Sequence, residues 1–292
     1  MLSLNPKVVR KWKSYLGLSF IIILTSIFIR LFLFEIFYVQ SSSMKNTLFP
    51  GDLILVNKIE YGPRLPKSLD QVPLLDLFFR KIPNDAQENL NPSLKDYIRL
   101  KGYGKYQNGD LVVFDHPSKS KSLIKRCIGI PGDTVEIVEG RIKINSIRFV
   151  EPQTIISQKP LGFSFDISDI ETDSIEKITP FELKNTSWIS YTQEPVVLPR
   201  RNQTITIDEE NFRKYNHIIN TYEHVGHSLE WKDGKCFSGE KIVLDYTFKK
   251  SYFFFLGDNR NNSSDSKIFG SIPEEKIIGK VSFTIYSSRR QD

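Results

Sequence analysis

Residues 41–58 read SSSMKNTLFPGDLILVNK, and the fold turns on what they are. They follow an apolar run that begins near Leu16 and lead into Leu53 to Val56, whose alternation reads as a strand. Three consecutive serines ordinarily make a solvated, flexible linker. The alternative is that one of them is a nucleophile, held at the point where the chain leaves a bilayer.

Upstream, NPKVVRKWK carries Lys7, Arg10, Lys11 and Lys13 and no acid, and Leu16 to Phe34 is uncharged except at Arg30. A bilayer span takes about 20 such residues. Arg30 lies near the far end, where its long stem carries the guanidinium out to the headgroups. Basic residues before the run, with none comparable right after it, predict a cytoplasmic N-terminus (1–15), a single-pass anchor in the cytoplasmic membrane (16–38), and an extracytoplasmic remainder. A cleaved signal peptide is the rival reading, with a small-x-small site around Ser41 to Ser43. The apolar run exceeds the usual 7–15 residues of such a peptide, which favours an anchor.

The 292 residues are 40% hydrophobic and 25% charged, the balance of a globular chain long enough for a sizeable core. A net charge of +6 and a pI near 9.1 are compatible with nucleic acid. The basic residues are spread along the chain, however, and no aromatic–basic motif accompanies them, so no nucleic-acid partner is expected. Cys127 and Cys236 are the only cysteines, which excludes a disulfide scaffold and leaves open whether they pair or stay free and buried.

Downstream, GDLVVFDHP (109–117) repeats the design of GDLILVNK. SLIKRCIGIPGDTVEIVEGRIKIN (122–145) reads as three strands separated by a Pro-Gly-Asp turn and a Gly-containing hairpin. KIVLDYTF, SYFFFLGD and GKVSFTIY read as further strands. The expectation is a mainly β fold: one N-terminal transmembrane helix, then a β-rich catalytic core over 39–148 and 250–292, with a variable subdomain inserted at 149–249. Inside that insertion, DEENFRKY suggests a helix. The irregular stretch 61–107 suggests a short helix near LLDLFF (74–79), packed on the core or dipping into the membrane interface.

A serine hydroxyl is nearly inert at neutral pH without a base. His116 lies in a turn, and His217, His224 and His227 cluster far from any serine motif. A lysine can serve if burial depresses its pKa, since at pH 7.5 an unshifted lysine is neutral only about once in a thousand. Lys125 has an apolar setting among Leu123, Ile124, Cys127 and Ile128; the plainer reading has it pointing outward from an edge strand. Two S-x-x-K matches, Ser42–Lys45 and Ser122–Lys125, lie in loop or strand context without the S-D-N and K-T-G companions of penicillin-binding enzymes. His217, Glu223, His224, His227 and Cys236 fit no structural-zinc spacing, so no metal site is expected. The loop FLGDNRNNSSDSKIFGSIP (255–273) is unusually dense in Asn, Asp and Ser directly after an apolar strand.

SSSMKNTLFPGDLILVNK, GDLVVF, KRCIGIPGD and GDNRNNSSDSKIFGSIP, in that order and behind the membrane exit RLFLFEIFYVQSSSM, resemble the signature boxes of type I signal peptidases. The resemblance covers the anchor and about a third of the chain. It implies a serine endopeptidase that removes signal peptides from secreted preproteins, working without cofactor and without obligate subunits, in contact with membrane lipid. It further implies Ser43 as nucleophile, Lys125 as general base, Ser41 as oxyanion donor and Ser263 as the group that orients the lysine. Asp258, Arg260, Asp265 and Lys267 would support the site, and Val39 and Ile124 would line shallow pockets for small side chains before the cut. Three positions depart from the family's pattern: Ser42 stands where Gly is frequent, Asn46 where Pro is typical, and Lys267 where Arg is more common. A catalytically impaired, membrane-anchored scaffold is the alternative, and it would be favoured by loss of Ser43 or Lys125, both of which are present. A self-cleaving, repressor-type Ser-Lys enzyme would need a DNA-binding domain in place of the anchor.

Overall fold

The computed structural model describes residues 6–66, 72, 98–117, 121–138, 141–155, 195–223 and 226–291. LLDLFF, His224 and 156–194 of the insertion lie outside them. Helix α1, Pro6–Phe28, starts on a proline, which has no N–H to waste at a first helical turn. A π-helical turn, Ile29–Leu33, follows it. Over Tyr15–Leu33 the mean hydropathy is 2.4 and none of the stretch is buried against the protein, so this helix is long and apolar enough to cross a membrane.

The helix stops sooner than the apolar run does. Residues 34–38 of the expected 16–38 span form strand β1, Phe34–Tyr38, which pairs antiparallel with β2, Leu53–Asn57. Alternation of exposed and half-buried residues along FEIFY is a strand signal that the neighbouring apolar helix hides. Lys58 fastens the junction, pairing with Glu35 at 2.7 Å and donating to the Arg30 carbonyl at 2.8 Å.

The chain then builds one principal sheet. It contains β3, Leu111–Asp115; β4, Ser122–Gly129; β14, Tyr252–Leu256; β15, Ile272–Pro273; and β16, Ile277–Tyr286, in the order β1-β2-β16-β3-β4-β14-β15. Its core is aromatic: Phe255 is fully buried and stacks on Phe114 at 4.6 Å and on Phe253 at 6.1 Å. A second sheet joins β5, Thr134–Val138; β6, Arg141–Ile144; β7, Ile147–Arg148; and β8, Val196–Val197. Because β8 pairs with β5, this sheet straddles the boundary expected at 148/149.

Farther on are β9, Thr204–Thr206, and helix α2, Glu209–Tyr222. That helix is capped by Asp208 accepting from the Asn211 N–H at 2.7 Å, and it buries Tyr215, Ile218, Ile219 and Tyr222. The hairpin β10, Leu229–Lys232, with β11, Lys235–Ser238, follows. KIVLDYTF divides into β12, Lys241–Ile242, and β13, Asp245–Thr247, which join different sheets. Cys127 and Cys236 are free thiols buried in different core clusters. Glu223 accepts from Tyr252 at 2.7 Å and from the Lys249 N–H at 2.8 Å, a structural use of a residue once grouped with the zinc-like set.

Phe255→Ala removes the centre of the aromatic stack and is expected to cost about 3–5 kcal/mol. Urea unfolding of the purified protein, compared at constant m-value, measures it.

Candidate active site

The turn after β1 carries the serines. Ser41 is extended, and Ser42–Met44 form a single 3-10 turn that buries Ser43 and Met44. Met44 is 1% exposed and packs with Val39, Leu48, Ile54 and Val113, so the methionine roots the turn in the core. Lys45 at φ −49°, ψ 143° and Asn46 at φ 77° make a type II turn closed by the Thr47 N–H donating to the Met44 carbonyl at 3.0 Å. The third position of that turn needs positive φ, which Asn tolerates and Pro cannot adopt. Asn46, which stands where the family's pattern has Pro, therefore fits this turn.

Lys125 comes from the middle of β4, opposite Val112. It is 1% exposed, and its Nζ donates to Ser43 Oγ at 2.5 Å. Burial pushes its pKa down to about 8, with Asp265 and Asp258 pulling it back up and Lys121 and Lys267 opposing them. The outward-pointing alternative for this lysine is excluded. Ser41 Oγ lies 3.2 Å from Ser43 Oγ.

The loop after β14 closes the other side. The Asn259 N–H donates to the Ser43 carbonyl at 3.0 Å, and its side-chain amide donates to the Ser42 carbonyl at 3.2 Å. Asp258 is fully buried and accepts two bonds from Arg126, at 2.8 and 2.5 Å, and one from the Thr47 hydroxyl at 2.5 Å. Asp265 accepts from the Gly257 N–H at 3.0 Å and caps the single helical turn α3, Ser266–Phe269. Lys267 lies 3.9 Å from Asp265 and donates to the Arg260 carbonyl at 2.5 Å, so its amine spans both, as a guanidinium fork would not need to. Arg260 is buried and sits 2.8 Å from Glu151, an ionic contact without hydrogen-bond geometry.

Two expected roles look different in place. Ser263 does not bond to Lys125: its buried hydroxyl has no hydrogen-bond partner, because the side chain lies against Gly257 while the lysine aims at Ser43. Val39 is 3% exposed and sits inside the core beside the half-buried Ile124, so only Ile124 offers surface.

With this geometry in hand, the comparison with known families is direct: the family described as "Signal peptidase, peptidase S26" matches residues 12–184 and 194–286. The chain belongs to that family. Membership makes it a peptidase, and its apolar N-terminal helix is consistent with the membrane anchors of such enzymes. Among curated relatives, signal peptidase I of Buchnera aphidicola subsp. Baizongia pistaciae is 27% identical, over 96% of this chain and 77% of that protein. Signal peptidase I of Pseudomonas aeruginosa is 28% identical, over 98% and 75%. Signal peptidase I of Helicobacter pylori strain J99 is 26% identical, over 94% and 81%. A crystal structure of a signal peptidase I from Enterococcus faecalis V583, 19% identical, covers 61% of this chain and 97% of its own with a TM-score of 0.27, too low to bear on the fold.

In this S26 peptidase, sequence reading passed over Thr47, Arg126 and Met44, which hold the serine turn through Asp258 and the core. The Lys-Arg doublet at 125–126 was the available signal for Arg126, and nothing marked Thr47.

The packing and burial of the site set three expectations. A Cβ on Gly257 would fall 2.1 Å from Ser263 Oγ and 2.7 Å from the Ser43 carbonyl. Gly257→Ala is therefore expected to lower peptidase activity at least tenfold by shifting the serine turn, with an unchanged far-UV spectrum. With Lys125 as the base, peptidase activity is expected to rise with pH through about 8 as the lysine loses its proton. The unfolded chain keeps that proton up to 10.5, so burial destabilises the fold fully below pH 8 and progressively less above it. Lys125→Met is accordingly expected to melt above wild type at pH 7, with the gap narrowing as pH rises toward 10, read by thermal unfolding across that range.

Proposed function

We propose that this chain removes N-terminal signal peptides from secreted preproteins at the outer face of the cytoplasmic membrane, with Ser43 as nucleophile and Lys125 as base. The observation that carries the reading is the 2.5 Å contact from a buried, pKa-depressed lysine to a serine at the exit of the apolar helix. At pH 7 a group with a pKa near 8 is neutral about one time in ten, far more often than an exposed lysine.

In this mechanism neutral Lys125 takes the Ser43 proton as Oγ attacks the scissile carbonyl. The oxyanion is met by the Ser41 hydroxyl and the Ser43 N–H, a contribution of about 3–4 kcal/mol for a well-placed donor. The amine leaves with the proton held by Lys125. Water then adds to the acyl ester, giving up its proton to Lys125, and Ser43 is released. No metal or organic cofactor enters these steps. Arg126, Asp258 and Thr47 position the turn; Arg260, Asp265, Lys267 and Ser263 shape the loop behind it.

The substrate adds as an extended strand. Strand β14 covers only Arg126–Gly129 of β4, whereas β3 covers Ser122–Arg126. Among the described residues, the Ser122–Lys125 edge is thus open on the side of Ser43. Ile124 on that edge presents a half-buried apolar surface, suited to small side chains before the cut. The N-terminus is cytoplasmic on this reading, in accord with the basic residues that precede the span.

Cleavage of a preprotein bearing an A-x-A site by the detergent-solubilised full chain tests the proposal. Wild type is expected to cut, and Ser43→Ala and Lys125→Ala to lose at least a thousandfold in rate while remaining folded. Cleavage persisting in Ser43→Ala would assign the nucleophile elsewhere, and an inert wild type across several such substrates would favour the scaffold reading.

A further inference from the structure

The serine turn is held from a third direction, by residues at the root of the insertion. Directly after β7 the chain runs through Phe149 to Ile155, closing a turn in which the Ile155 N–H donates to the Pro152 carbonyl at 3.1 Å. That turn brings Thr154 Oγ1 to 2.9 Å from Thr47 Oγ1. Thr47 in turn lies 2.5 Å from Asp258 Oδ2, the same oxygen that accepts from Arg126. A threonine hydroxyl has one proton and two lone pairs, and a carboxylate is the stronger acceptor. Thr47 is placed as donor to both oxygens, so its one proton is shared between Thr154 and the stronger acceptor, Asp258. Thr47 thus joins Thr154 to Asp258, and the backbone beside Asp258 holds the Ser43 carbonyl through Asn259.

A second latch lies three residues earlier. Glu151 reaches Arg260 at 2.8 Å, and the Arg260 carbonyl accepts from Lys267. The turn 151–154 thus touches both loops that frame Ser43, one through a hydroxyl and the other through a charge.

We propose that Thr154 is a positioning residue for hydrolysis, acting through Thr47 to fix the turn that carries Ser43; this rests on the assignment of Ser43 as nucleophile. Held between the Thr154 and Asp258 oxygens, the Thr47 hydroxyl is fixed on both sides, and the type II turn at 44–47 is kept from rocking toward the open substrate edge. Thr154 touches neither substrate nor the dyad. Its effect falls on the alignment of Ser43 Oγ and not on the basicity of Lys125.

The test uses the full-length chain in detergent with an A-x-A preprotein, measuring kcat, KM, thermal midpoint and the pH dependence of rate for wild type, Thr154→Val and Thr154→Ser, with Ser43→Ala as reference. Thr154→Val is expected to lower kcat about tenfold while KM, the thermal midpoint and the position of the acid limb stay at wild-type values, and Thr154→Ser to recover most of the loss. A Thr154→Val variant within twofold of wild type in kcat overturns the proposal. So does a loss accompanied by a lower thermal midpoint or by an acid limb moved to higher pH, which marks general loosening and hydration of Lys125. Retained activity in Ser43→Ala would remove the nucleophile assignment and this proposal together, an outcome separable from failure of Thr154 alone.

Discussion

On the proposed mechanism a lysine amine has to be kept dry. At its ordinary pKa it is an ammonium with no lone pair to offer, and removal from water is the largest effect that makes it a base near neutral pH. The packing around β4 is organised by that requirement. Lys125 sits where the strand becomes buried on both faces, with the aromatic core of the principal sheet on one flank and the Val39–Met44 cluster on the other. The carboxylates nearby, Asp258 and Asp265, are each engaged elsewhere, by Arg126 and Thr47 and by backbone N–H groups. An unengaged carboxylate next to Lys125 would restore the ammonium and undo the effect of burial.

The second requirement of that mechanism is that the serine be presented without slack. Its turn is gripped through its backbone carbonyls by Asn259, through Met44 by the core, and through Thr47 by Asp258. The grips come from three directions, two by hydrogen bonds and one by packing. Gly257 shows how close the approach is, since the volume of a single methyl there would displace the Ser43 carbonyl.

How much of this could be read beforehand depends on the range of the interaction. Strands β2, β3 and β4 were visible because their apolar alternation is local, and α2 was visible through Asp208 and the acidic residues after it. Strand β1 was not, because FEIFY continues an apolar helix and only pairing with β2 makes it a strand. Ser43 and Lys125 were found by resemblance to a family and not by spacing, since 82 residues separate them in the chain. The left-handed Asn46 reads as a defect until its φ is known. Ser263 Oγ lies against Gly257 with no hydrogen-bond partner, and Thr154 belongs to a stretch whose composition is that of any polar turn.

The five residues of β1 carry a mechanical consequence. The chain passes from the helical turn ending at Leu33 straight into a paired strand at Phe34, and Lys58 braces the corner. At about 3.3 Å per residue the strand is a rigid post about 17 Å long. If α1 is an anchor, the serine at the top of that post cannot wander over a volume as a tethered enzyme would; it stands at one height. Such a protease works as a gauge: it cuts where a passing chain stands at the right elevation, and the same sequence held a few residues higher or lower goes by untouched.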